Sequence, residues 1–105
     1  MALYAIYEDM TAPTITVTIT DSAGVARDVS GAGVVVKLYL GDTSGTRIVD
    51  GVTMTKDGPT GQCSHVLTTT QSATPGVYRG QAEITWSAGV IERTETFVCE
   101  IRAKV

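Results

Sequence analysis

The 105-residue sequence contains no asparagine, so it offers no N-glycosylation acceptor, which requires Asn-x-Ser/Thr. It has one histidine and two cysteines, too few for most metal chemistry. Zinc takes four ligands with closely spaced donor pairs. Cys63 and His65 form one such pair, and only Cys99 remains to add a thiolate, so no metal site is expected. A Cys–His nucleophile needs its thiol in an exposed electropositive pocket. Both cysteines instead sit in apolar alternation and are expected to be buried thiols, with a disulfide between them as the alternative. Basic residues are also scarce, with eight Lys and Arg against eleven Asp and Glu, a net charge of -3 and a pI near 4.9. Phosphate recognition needs clustered positive charge, and nucleic acid is therefore not an expected partner. No apolar run approaches the roughly 20 residues that span a bilayer, so no membrane association is expected and the chain should be soluble. The start, MALYAIYEDM, lacks a basic lead, a continuous apolar centre and a small-residue cleavage site, with Glu8 and Asp9 arriving too early for a secretory signal.

What is present is alternation. In "TITVTIT", residues 14–20, Ile15, Val17 and Ile19 share one parity and four threonines share the other, the pattern of a half-buried strand. A helix would need apolar spacing of three to four residues, and β-branched side chains at this density lose rotamer freedom in one. The same reading sets Val34, Val36, Leu38 and Leu40 on one face of a central strand. It sets Tyr78, Ala82, Ile84 and Trp86 against Arg79, Gln81, Glu83 and Thr85, and Phe97, Cys99 and Ile101 against Thr96, Val98 and Glu100. Residues 3–7 also read as extended. Turn signals punctuate these runs at 21–24, 41–45, 57–61, 75–76 and 88–89, and Gly51 interrupts "RIVDGVTMTK" as a bulge or bend would. With 43% hydrophobic and 18% charged residues, the chain is expected to form one domain over 1–105. The expected fold is an all-β sandwich of seven to eight short antiparallel strands.

The residues capable of chemistry each have a structural explanation. His65 shares its parity with Cys63 and Leu67, which places it inward or at a sheet margin in a structural role. Asp21, Asp42 and Asp57 lie in turns and raise the question of calcium, but that ion takes six to eight oxygens, and turn formation accounts for each carboxylate. Glu8 and Asp9 read as a solvated strand end rather than a general acid and base. "GAGVVV" has Gly-x-Gly but a strand follows it, so no helix N-terminus is available to hold phosphate. Trp86 lies closer to Cys99 than the antibody pattern allows and is expected to pack in the core. No catalytic residue, cofactor site or enzymatic activity is expected.

Several segments taken in order, "TAPTITVTITDSAGVARDVSGAGVVVKL", "DGPTGQCSHVL", "TPGVYRGQAEITW" and "RTETF", resemble the immunoglobulin-like domain of baseplate upper proteins and related minor tail proteins of tailed bacteriophages. The resemblance rests on Ala12-Pro13, the turn Asp21 to Gly24, the segment Asp28 to Ala32, the turn Asp57 to Gly61, the corner Thr74-Pro75-Gly76-Val77-Tyr78 and Glu95-Thr96-Phe97. It implies an immunoglobulin-like β-sandwich. It further implies a structural virion component of the tail or baseplate, made in the host cytoplasm, that docks onto other virion proteins as a homo-oligomer within a symmetric assembly. A capsid decoration protein and a carbohydrate- or receptor-binding module are the alternatives, the latter using Tyr4, Tyr7 or Tyr39 to stack on sugars. The first eight residues and the terminal strand are the expected contact elements.

Overall fold

The computed structural model describes residues 3–7, 13–21, 23–86, 89–94 and 96–103, with the backbone alone at 3–5, 7 and 58. Its strands are β1 (Leu3–Tyr7), β2 (Thr14–Thr18), β3 (Val35–Gly41), β4 (Arg47–Thr53), β5 (Thr55–Asp57), β6 (Gln62–Val66), β7 (Gly76–Thr85), β8 (Ile91–Arg93) and β9 (Phe97–Arg102). One sheet runs β1-β9-β7-β3-β4 with β8 also paired to β7, and the other runs β2-β6-β5. Among the described residues the only helical turn is a 3-10 turn at Gly58–Thr60. The fold is an all-β, immunoglobulin-like sandwich.

The alternation decides which residues meet between the layers. Ile15, Ile19, Cys63 and Leu67 come inward from the small sheet, and Val36, Leu38, Leu40, Tyr78, Ala82, Ile84, Phe97, Cys99 and Ile101 from the large one. β3 is central, as its uninterrupted apolar parity predicts, with β4 on one side and β7 on the other. Tyr78 anchors the loop that precedes β7, its hydroxyl donating to the Thr74 carbonyl at 2.8 Å. This is the tyrosine-corner device of immunoglobulin-like sandwiches.

Gly80 of β7 lies opposite Phe97 of β9. A β-carbon at Gly80 would clash with the Phe97 ring and lie 2.9 Å from a methyl of Leu40. Glycine is required here because the aromatic side chain occupies the space its own side chain would take.

The structure refines the strand boundaries. "RIVDGVTMTK" is one extended run that serves both sheets: β4 pairs with β3, and after Met54 β5 pairs with β6. Counted as one strand, it brings the segments from nine to eight. Gly51 does mark a bulge, since the register shifts between Leu38 opposite Val52 and Tyr39 opposite Asp50. The final run splits into β8 and β9 around Thr94, whose hydroxyl accepts from Ala82 N–H at 3.0 Å in place of a ladder carbonyl.

Two expectations are corrected. The pairing is antiparallel except at β1, which runs parallel to β9 with Leu3 beside Val98 and Tyr7 beside Arg102. No hairpin ties β1 to its neighbour, so nothing imposes the antiparallel direction. The terminal strand β9 lies between β7 and β1, with its backbone engaged on both sides, and is therefore unavailable for strand addition.

Candidate functional site

His65, Cys63 and Cys99 do not assemble. Cys63 sits on β6 in the small sheet and Cys99 on β9 in the large one, and both are buried free thiols. Burial raises the Cys99 pKa from 9.0 to about 11. Burial also raises that of Cys63, partly offset by the nearby positive charge of Lys56. Both shifts favour the protonated thiol, the opposite of what a nucleophile requires. His65 is half-buried at the sheet margin, with Nε2 3.0 Å from Gln71 Oε1. The same Gln71 oxygen accepts from Thr68 N–H at 3.0 Å, so the histidine belongs to the network shaping the loop between β6 and β7.

The turn aspartates serve their own turns. Asp21 Oδ1 accepts from the N–H groups of Ala23 and Val25 at 2.9 and 3.0 Å. Asp42 Oδ1 accepts from Ser44 N–H at 2.9 Å, Ser44 Oγ at 2.7 Å and Thr46 N–H at 3.0 Å, and the Ser44 hydroxyl leads in lowering its pKa. The Thr60 hydroxyl lies 2.9 Å from the Asp57 carbonyl oxygen and 3.0 Å from its carboxylate. Among the described residues no three His, Cys, Asp or Glu side chains gather to hold a metal ion. Glu8 and Asp9 lie outside the described residues.

Of the tyrosines considered for sugar stacking, the side chains of Tyr4 and Tyr7 lie outside the described residues. Tyr39 is half-buried, with the Arg47 guanidinium 5.0 Å from its ring centroid and the Gly51 backbone packed against its hydroxyl end. Its ring already serves as a packing surface within the sheet.

The surfaces left for contact are sheet faces, strand edges and end loops. On the small sheet, pairing aligns Thr16, Ser64 and Thr55 in one row and Thr18, Gln62 and Asp57 in the next. Because Ile15 and Cys63 point inward, these rows face outward as a surface of hydroxyls and one amide with a single carboxylate. A shallow depression of ≈ 260 Å³ lies along it.

At the end of the sandwich where β2 ends and β6 begins, three loops meet. Gly61 accepts from Ile19 N–H at 2.8 Å, Arg27 stacks 4.1 Å from the Trp86 ring centroid, and Arg27 Nη1 pairs with Glu92 at 2.9 Å. Trp86 packs against the core as expected. Its indole Nε1 is buried without a hydrogen-bond partner among the described residues.

Sequence reasoning missed Arg27 and Lys56. Lys56 Nζ donates to the carbonyls of Val34 at 2.6 Å and Gly31 at 3.2 Å, tying the small sheet to the segment that enters β3. Neither role has a local signal, since the partners lie more than 20 positions away and periodicity reads only near neighbours.

No protein-family model matches the sequence, and no curated protein matches it. Among solved structures, the chain is similar to the N-terminal domain of phage TP901-1 ORF48, with a TM-score of 0.70 and 13% identity over 96% of this chain and 85% of that one. It is also similar to CopC from Methylosinus trichosporium OB3b, with a TM-score of 0.59 and 12% identity over 98% of this chain and 86% of that one. What these likenesses show is the fold. One sandwich thus serves proteins of different kinds. No helix among the described residues is long and apolar enough to cross a membrane.

Proposed function

We propose that this protein is a non-enzymatic structural component of a tailed-bacteriophage virion, an immunoglobulin-like module of the tail, baseplate or an allied position that docks onto other virion proteins in symmetric copies. The observation that carries this reading is the fold likeness to the phage TP901-1 ORF48 N-terminal domain, which extends over 96% of the chain. It agrees with the phage-like order of turns and corners in the sequence. The chemistry of the surface is compatible with it. A face of hydroxyls loses less hydration free energy on burial than a face of ions, so the outer face of the small sheet can be covered by a neighbouring protein at modest cost. The acidic balance and the unclustered basic residues suit a partner that is protein rather than nucleic acid.

Mass spectrometry of purified particles tests the reading. The expected result is stoichiometric recovery of this chain with the other virion proteins. Abundance in infected cells with absence from particles would overturn it.

A further inference from the structure

The hairpin arm made by β8 and β9 is covered unevenly on its outer side. β1 lies against Val98 to Arg102, and among the described residues no strand lies against β8 on the side away from β7. The ladder identifies the backbone groups this leaves open. Trp86 N–H donates to Val90 O at 2.8 Å and Thr94 N–H to Ala82 O at 3.0 Å. Val90, Glu92 and Thr94 therefore turn their backbone groups toward β7, and Ile91 and Arg93 turn theirs away from it. The side chains match this openness, since Val90 and Ile91 are 53% and 52% exposed.

Edge strands are ordinarily protected by bulges, prolines or free charges. β4, at the far side of the same sheet, has a bulge and the Arg47–Asp50 pair. β8 has no proline, and its two charges are held within the molecule, Glu92 by Arg27 and Arg93 by Glu83.

We propose that β8 is the pairing edge for a second copy of this chain, with two β8 segments lying antiparallel about a two-fold axis at Ile91. The charge balance of this edge admits a second copy, and parity and charge then constrain the register. A two-fold axis normal to the sheet brings together residues of the same face, so it must pass through a residue rather than between two. At Glu92 or Arg93 the axis would set a charge against its own copy, which is destabilising. At Ile91 it sets an apolar side chain against itself, places Val90 opposite Glu92, and lets the outward N–H and C=O of each Ile91 bond those of the other. The patch is charge-balanced, Glu92 with Arg27 and Arg93 with Glu83, so two copies meet here without the repulsion expected from a net charge of -3. The overlap covers only residues 89–93 of each chain. It buries far less than the roughly 1,600 Å² of a standard stable interface, so the dimer is weak. The proposal does not depend on the virion reading, because the chain either dimerises in solution or does not.

The test is sedimentation velocity of the full chain from micromolar to millimolar concentration, combined with amide hydrogen exchange. We expect a concentration-dependent dimer, with exchange at the Ile91 and Arg93 amides slowing as it forms. Ile91→Lys puts two ammonium groups at the axis and should weaken association about tenfold or more. Circular dichroism and Tm should stay unchanged, because the side chain is exposed. Ile91→Pro removes the outward N–H, against which no strand among the described residues lies, and should cause the same loss. A wild-type chain that stays monomeric at millimolar concentration, or a dimer that Ile91→Lys leaves intact, overturns the proposal. Protection of Ile91 by an unrelated extended peptide but not by self-association would overturn it as well.

Discussion

The two sheets meet solvent with different chemistry. The outer face of the six-stranded sheet is ionic, with Arg93 paired to Glu83 at 3.0 Å, Arg47 to Asp50 at 2.9 Å and Arg102 to Glu100. The outer face of the three-stranded sheet is hydroxyl-rich, with Thr16, Ser64 and Thr55 in one row and Thr18, Gln62 and Asp57 in the next. Exposed ion pairs add little stability, but they hold water strongly and are costly to strip. The large sheet is therefore suited to stay wet, and the small sheet presents a face that a neighbour can cover. Their interiors differ too. The large sheet brings the Phe97 ring over Gly80 and the Tyr78 corner. The small sheet relies on Ile15 and Leu67, on the Ile19–Gly61 backbone bond and on the tie from Lys56 to Gly31 and Val34.

The largest effect expected from breaking this contrast is on the large sheet. Phe97→Ala should cost about 3–5 kcal/mol, because it opens a cavity over Gly80 that no other side chain fills. Urea unfolding measures it, and a loss smaller than that of Ile15→Ala would show that the small sheet's inward residues matter more to the core than the Phe97 ring.

The thiols give the next test. A raised folded-state pKa means that the protonated form is favoured in the native protein, so this contribution is complete below the unfolded pKa near 9 and is lost as pH rises toward the folded value. For Cys99, whose pKa is pushed from 9.0 to about 11, stability should fall between pH 9 and 11 by up to about 3 kcal/mol. Cys99→Ala should flatten that limb of the stability–pH curve. Cys63→Ala should flatten it less, since Lys56 offsets part of the shift at Cys63.

Gly61 tests the small sheet. Its φ is +70°, and a β-carbon there would lie 2.7 Å from the carbonyl oxygens of Ile19 and Arg27. Gly61→Ala is expected to cost about 2 kcal/mol and to speed amide exchange in β2 and β6 before β3 and β7. Uniform exchange across both sheets would show that they unfold as one unit. The smallest effect is on the ionic face, where Glu83→Gln should change stability by less than about 1 kcal/mol, with most of that difference gone in high salt when the Tm is compared.

Much of the architecture was legible because burial in a sandwich follows a two-residue period. Val36, Leu38 and Leu40, then Ala82 and Ile84, then Phe97, Cys99 and Ile101 were assigned to one face by parity and are buried together. The turn aspartates were equally readable, since an Asx acceptor acts within four residues of itself. What escaped the pattern were contacts across the fold. The Arg27, Trp86 and Glu92 cluster joins segments 59 to 65 positions apart, and the direction of β1 depends on a neighbour more than 90 positions away. The docking surfaces were only partly legible. The threonine face could be read from alternation, but which strands form the edges could not, so β9 looked available where it is enclosed.

The sequence by itself determined the β class, the inward and outward sets of side chains and the places where the chain turns, because these follow from backbone geometry and solvent exclusion over a few residues. Only the tertiary structure decided the order and direction of strands, the crossing from one sheet to the other at Met54, and the edge that β8 forms among the described residues. Those depend on which distant segments share a ladder, and the energy of that choice is spread over contacts that no short window contains.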